Sequence, residues 1–252
     1  MPIMKNILKA SVLGTILLSP IAISHASTYA DSIAEALANN DRTPTHLAFD
    51  PNRKPAEILK FAGVKNGMTV LDINASRGYY SEILSGVVGK NGKVIAHNGP
   101  AYWGFIKKQS PESFKSMPNV VELHDGNEAV TAEENSVDVA LSALAYHDYY
   151  MDHLKYTAED VMKINKSVYD ALKPGGVYVV IDHVGPKDAP NEVVSKLHRI
   201  DPARVKNELV AAGFTFVEES KLLANPDNPA DKSWFGAKVR YSTDRFIYKF
   251  KK

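Results

Sequence analysis

The sequence predicts an α/β fold: a Rossmann-like, doubly wound sheet of seven strands, mostly parallel with an antiparallel last strand, in three α/β/α layers. Three observations predict it. Short apolar runs alternate with segments of helical period through the middle of the chain, the pattern of βαβ units. Residues 68–87, MTVLDINASRGYYSEILSGV, read as a buried strand, a tight small-residue loop and the first turns of a helix. Two strands then stand close together at the end of the chain, which predicts an antiparallel hairpin at one edge.

The stretch 68–87 organises the rest. Met68, Val70, Leu71 and Ile73 follow the turn pair Asn66-Gly67, and Asp72 falls near the strand's carboxyl end. From Tyr80 on, Ile83, Leu84 and Val87 keep helical spacing. A strand that feeds a helix through a tight loop sets backbone N–H groups and the positive helix end over the sheet edge. Small ligands bind at that edge in open α/β sheets.

The first 26 residues are of another kind. Met1 to Lys9 carry two lysines and no acid, residues 10–23 are mostly apolar, and Ser24-His25-Ala26 puts small residues where a signal peptidase reads. A secretory signal peptide over 1–26 is expected, with the mature chain starting near Ser27 and exported to the periplasm or medium. Pro20 and an apolar run shorter than about 20 residues argue against a stable membrane anchor. Tyr29 to Asn39 is an expected helix. Residues 27–55 form an N-terminal helix and loop whose Pro-rich part, holding Arg42, Asp50 and Arg53, reads either as a lid over a ligand site or as a solvated linker.

The main domain is expected over 56–252. Pro55 opens a short helix that Gly63 ends. Strands are expected at Lys93–His97, Val120–Leu123, Ser136–Leu144 and Val177–Ile181. Thr157 and Asp160 form a capping box for a helix that Lys173-Pro-Gly-Gly176 stops. Asp201-Pro202 opens another that runs to Gly213. Phe214–Glu218 and Thr243–Phe250 are the last strands, and Lys249, Lys251 and Lys252 read as a solvated tail. The 252 residues, 44% hydrophobic, suffice for one sizeable core. A net charge of +1 implies no general polyanion-binding surface, so nucleic acid is not an expected partner, and the lack of cysteine excludes disulfides and thiolate metal sites.

This order of elements resembles the class I S-adenosylmethionine-dependent methyltransferases. The matching stretches are VLDINASRGYYSEIL, DGNEA after the third strand, SVDVALSALAYHD across the fourth and ALKPGGVYVVIDH leading into the fifth. RKPAEILKFAGVKNGMTVLDI, GYYSEIL, LHRIDP and TDRFIYKF look like a smaller exported group of methyltransferase-like proteins, so the resemblance spans roughly residues 31–252. It implies S-adenosylmethionine as the cofactor. Asp72 matches the acid that ends the first strand, and Asn74, Ser76 and Gly78, followed by Tyr79, match the loop that cradles the cofactor's methionine end. Asn74 and Ser76 depart from the family's glycines. His97 or Asn98 stands where the family has an acid for the ribose hydroxyls. Asn127, with Glu128 beside it, stands where an acid approaches the adenine amine.

His147-Asp148 follows the fourth strand and Asp182-His183 the fifth. In this fold those strands are neighbours, so both loops should overhang one cleft. His147, Asp148 and His183 are candidate catalytic groups, with imidazole as base and carboxylate as its orienter; the alternative is hydrogen-bonded loop turns. Tyr146 and Tyr149 are expected to wall a substrate pocket. Arg199 and Arg53 are expected to hold an anionic substrate group, with a surface salt bridge as the alternative for Arg199. The His/Asp groups suit a divalent metal in type, but neither pair has a helical His-to-His spacing, and no metal ligand is assigned. The function expected is methyl transfer to a small molecule. The alternative is an exported, non-catalytic small-ligand-binding protein on a degenerate methyltransferase scaffold, and a metal-assisted hydrolase is a third reading.

Overall fold

The structure, a computed structural model, describes residues 29–39, 41–108, 114–124, 129–233, 235 and 242–252. The expected signal peptide and the candidates Asn127 and Glu128 lie outside the described residues. No helix among the described residues is long and apolar enough to cross a membrane.

Seven strands form one sheet: β1 (Thr69–Ile73), β2 (Lys93–His97), β3 (Val120–Leu123), β4 (Val137–Ala143), β5 (Leu172–His183), β6 (Thr215–Ser220) and β7 (Arg245–Lys251). Their order is β3-β2-β1-β4-β5-β7-β6. The first five run parallel, and β7 lies antiparallel between β5 and β6. The strand order reverses at β1, which puts the crevice outside the carboxyl ends of β1 and β4.

Helices cover both faces, as strand alternation requires. Val70 joins one core with Val139, Leu141, Val179 and Ile181, beneath α1 (Tyr29–Ala38), α4 (Pro55–Ala62) and α5 (Tyr79–Val88). Leu71 and Ile73 join the other with Ala140, Tyr178 and Val180, beneath α7 (Ala158–Ala171) and α9 (Pro202–Ala211), and α6 (Pro100–Ile106) follows β2. Alternation therefore turns Asp72 to the α5 face, where Ser81 Oγ donates to it at 2.6 Å. The capping box forms, with Thr157 N–H to Asp160 at 2.9 Å and Asp160 N–H to Thr157 Oγ1 at 3.2 Å.

The structure differs from the sequence reading in four places. Residues 44–53 hold two four-residue helices, α2 (Pro44–Leu47) and α3 (Asp50–Arg53). One turn shows no period to read, and the prolines there sit in first turns, where the missing N–H costs little. A helix α8 (Asn191–Leu197) fills a stretch with no side-chain cap to announce it. β5 starts at Leu172, before Lys-Pro-Gly-Gly, because Leu172 pairs with Val137 and the register then slips before Val177 meets Val139. Lys252 is no solvated tail: its Nζ donates to the Leu172 carbonyl at 2.7 Å and to Asn135 Oδ1 at 2.9 Å, at the carboxyl end of α7.

Candidate functional site

The bend after β1 is stitched to the end of β2. Ala75 N–H reaches the His97 carbonyl at 2.9 Å, and Ser76 N–H reaches Asn98 Oδ1 at 2.7 Å. Asn74, Ser76 and Gly78 all have positive φ, at 50°, 53° and 84°. Asn74 and Ser76 thus adopt the left-handed backbone that glycine takes freely and L-residues adopt at a cost. Gly78 is required on a second count: a Cβ there would stand 2.5 Å from the Phe114 ring.

A cavity of about 670 Å³ opens over this bend, within the range of small-molecule sites. Asp72, Asn74, Ser76 and Tyr79 form its floor, and Leu144, His147 and Asp148 one side. His183 and Arg245 also line it, and the segment of α2 and α3 adds His46, Phe49 and Arg53. Five of the chain's eight histidines line it: His46, His147, His153, His183 and His198. Leu144 and His198 share the positive φ of the bend, at 60° and 52°, so left-handed backbone clusters on the cavity wall. Strain of this kind persists where surrounding structure enforces it, and it gathers at functional sites.

The segment over the cavity is pinned by charge. Arg42 donates to both oxygens of Asp50, at 2.6 and 2.9 Å, and Tyr79 Oη donates to Asp50 at 2.8 Å. Burial opposes the Asp50 charge, but Arg42 and Tyr79 outweigh it and hold the carboxyl below its usual range. Glu82 on α5 accepts Thr43 N–H at 2.7 Å and faces His46 Nδ1 at 3.1 Å. The Arg53 guanidinium lies 4.3 Å from the Tyr79 ring centroid.

The two His/Asp dipeptides meet as expected, with crossed partners. His147 Nδ1 stands 2.7 Å from Asp182 Oδ1, and its Nε2 stands 3.1 Å from Asp148 Oδ1. Burial opposes a charge on His147, but Asp148 and Asp182 outweigh it and push the imidazole up to about 10. Both His147 nitrogens thus face carboxylates, an environment that favours the charged ring. Asp148 is held well below the carboxylate range, where His147 and the Tyr102 hydroxyl overcome burial. His183 goes the other way. Burial, then the charges of His147, Arg245 and Arg199, press it well below the usual histidine value, and Nδ1 stands 2.8 Å from Thr243 Oγ1.

Other candidates fall elsewhere. His97 and Asn98 are buried and do not line the cavity; Asn98 Oδ1 accepts the Ser76 backbone N–H. Tyr146 and Tyr149 are turned by the 3-10 turn His147–Tyr150 into the core under α7 and α9, where Tyr146 Oη donates to Glu208 at 2.8 Å. Tyr79, Tyr80 and Tyr102 supply the aromatic wall in their place. Arg199 is fully buried and clamps the Lys232 carbonyl at 2.6 Å, the Val184 carbonyl at 3.1 Å and Asn228 at 2.6 Å, away from the cavity. Sequence reasoning missed Asp182 as the partner of His147, and also His198 and Arg245. The β5–β7 register that sets Arg245 beside His183 is the signal for the last of these, and no local motif carries it.

The strand order, the reversed β7 and the bend after β1 define the fold of the class I S-adenosylmethionine-dependent methyltransferases. An S-adenosylmethionine-dependent methyltransferase from Aquifex aeolicus superposes with a TM-score of 0.55 at 22% identity, over 88% of this chain and 97% of the other. A putative sarcosine dimethylglycine methyltransferase from Galdieria sulphuraria gives 0.55 at 14% identity, over 80% and 84%. The [4+2]-cyclase SpnF gives 0.54 at 14%, over 80% of each. At these identities the likeness is one of fold. In sequence, the chain is 30% identical over 127 residues to the demethylmenaquinone methyltransferase of Oceanobacillus iheyensis, covering 50% of this chain and 49% of that protein. It is 25% identical over 143 residues to that of Staphylococcus aureus, covering 56% and 54%. The chain thus spans about half the length of the curated relatives it matches. No family model matches it.

Proposed function

We propose that this chain is an S-adenosylmethionine-dependent methyltransferase acting on a small, flat acceptor held in the cavity. The observation that carries the reading is the bend. Asn74, Ser76 and Gly78 take left-handed backbone at the three places where the resembled family has glycine, and the cavity lies over them with Asp72 at its floor. The residues present therefore fit the methionine end of the cofactor: Asp72 for its ammonium and the first turn of α5 for N–H donors. The bound cofactor supplies a methyl group on an electrophilic sulfonium.

The chain's own residues do the rest. Phe49, Tyr79, Tyr80 and Tyr102 give a flat acceptor an apolar slot, and alignment is most of what methyl transfer needs. His183, neutral at neutral pH, accepts a proton from the acceptor's nucleophilic atom. Its depressed basicity suits an acidic hydroxyl or enol, in keeping with quinone-directed relatives. Arg53 and Arg245 place positive charge at the same cavity and favour the deprotonated nucleophile. Export of the mature chain stays part of the proposal and rests on residues 1–26 alone.

A second reading, a ligand-binding protein without transfer chemistry, draws on one observation: no acid from the end of β2 faces the cavity, since His97 and Asn98 stand there and do not line it. Calorimetric titration with S-adenosylmethionine and S-adenosylhomocysteine separates the two. Micromolar binding that Asp72→Ala weakens at least tenfold supports the transferase. Absence of heat with both sinks it.

A further inference from the structure

We propose that His147, Asp148 and His198 form a site for one divalent first-row transition-metal ion, zinc(II) foremost, with a coordination position open to the cavity. This goes beyond methyl transfer and does not rest on it. Among the described residues, one ligand atom from each of these three lies within 4.8 Å of the others. Asp148 Oδ1 is 3.1 Å from His147 Nε2 and 3.7 Å from His198 Nδ1. A tetrahedral ion with bonds of about 2.1 Å holds its ligands about 3.4 Å apart, so the two separations straddle what an ion would set. Two imidazoles and a carboxylate are the donor set of open zinc sites and of non-haem iron(II).

The surroundings separate this trio from a chance ion pair. His147 turns its second nitrogen to Asp182, 2.7 Å away, and Asp182 also accepts the His147 backbone N–H at 2.8 Å. That is the outer-shell carboxylate which fixes a ligand histidine's tautomer and direction. The Tyr102 hydroxyl holds the other oxygen of Asp148. His198 is presented from a left-handed residue at the carboxyl end of α8, with the Phe235 ring 4.5 Å from its own. Two separate elements, the 3-10 turn His147–Tyr150 and the end of α8, supply the ligands, and all three line the cavity.

The test uses the untagged chain, stripped with chelator and titrated calorimetrically with zinc chloride alone. The expected result is one ion per chain with a Kd at or below micromolar, and cobalt(II) giving the visible absorption of a tetrahedral site. His198→Asn, chosen because asparagine tolerates the left-handed backbone, should weaken zinc at least a hundredfold and abolish the cobalt spectrum. Asp182→Asn should weaken it about ten- to a hundredfold. His124→Ala, whose ring stacks on Trp103 away from the cavity, should bind as the parent does. Lack of binding by the parent at millimolar zinc overturns the proposal, as does unchanged binding in His198→Asn or an equal loss in His124→Ala. Titration of the same samples with S-adenosylhomocysteine keeps the two readings apart, since either ligand can bind where the other fails.

Discussion

Asp72 carries a carboxyl to a place where water is scarce. Burial pushes it up to about 7, against the pull of the Ser81 hydroxyl and of the Arg53 charge. Its ordinary value is 3.8. Between those two values the folded chain holds a proton that the unfolded chain has lost. Stability is therefore full below the lower value and falls as pH rises to the higher one, by about 1.4 kcal/mol per unit. Asp72→Asn carries no such penalty. Melting curves should show the variant gaining on the parent between pH 4 and 7 and a constant gap above; parallel curves would refute the buried carboxyl. On the proposed function the ammonium of S-adenosylhomocysteine needs the ionised form, so parent affinity should rise with pH through 7 and that of Asp72→Asn should not. The position of Asp72 was legible from the sequence because an acid ending an apolar run is a local pattern. The sequence did not reveal the crossed pairing of His147 with Asp182, because that depends on how two loops fold over adjacent strands. Nor did it reveal that Tyr146 and Tyr149 point inward, since a single 3-10 turn decides which side chains of His147–Tyr150 face the cavity.

At the scale of elements, α2 and α3 matter because they roof the cavity and are too short to be stable alone. What holds them is the Arg42–Asp50 pair and the reach of Glu82 to Thr43 and His46. Arg42 is 2% exposed, so losing Asp50 leaves its guanidinium only the longer contacts to the Leu37 carbonyl at 3.4 Å and Glu82 at 3.5 Å, with little water to turn to. Asp50→Asn should cost about 2 kcal/mol, below the range for fully buried pairs because Asp50 itself is partly exposed. The loss should be local: amide exchange over residues 42–53 should quicken while the sheet stays protected, and ligand affinity should drop with it. Uniform exchange across the chain would show that the roof is not a separate unit. Long elements with a clear apolar period, such as α5 and α7, could be read from sequence to within a residue or two. The roof could not, because its order comes from ion pairs to α5 and not from a period of its own.

At the scale of the molecule, the cavity joins the roof, the bend after β1, the ends of β4 and β5, and the loop bearing His198. Left-handed backbone at Asn74, Ser76, Leu144 and His198 is concentrated along that seam. Each such residue opposes folding by roughly 1–2 kcal/mol, so the seam is where the fold gives up stability for a shaped hollow. A ligand that fills it should return stability to the whole chain, since it binds the folded state alone. At a hundred times its Kd it contributes about 2.7 kcal/mol, and 1 kcal/mol moves the midpoint by about 2–4 °C in a chain of this length. S-adenosylhomocysteine at that excess should raise the midpoint by about 5–10 °C in one cooperative transition. Adenosine, lacking the methionine end that Asp72 and the bend would hold, should raise it much less. An equal shift with both ligands would place recognition elsewhere than the bend, and a shift with neither would remove the cofactor from the account while leaving the fold untouched.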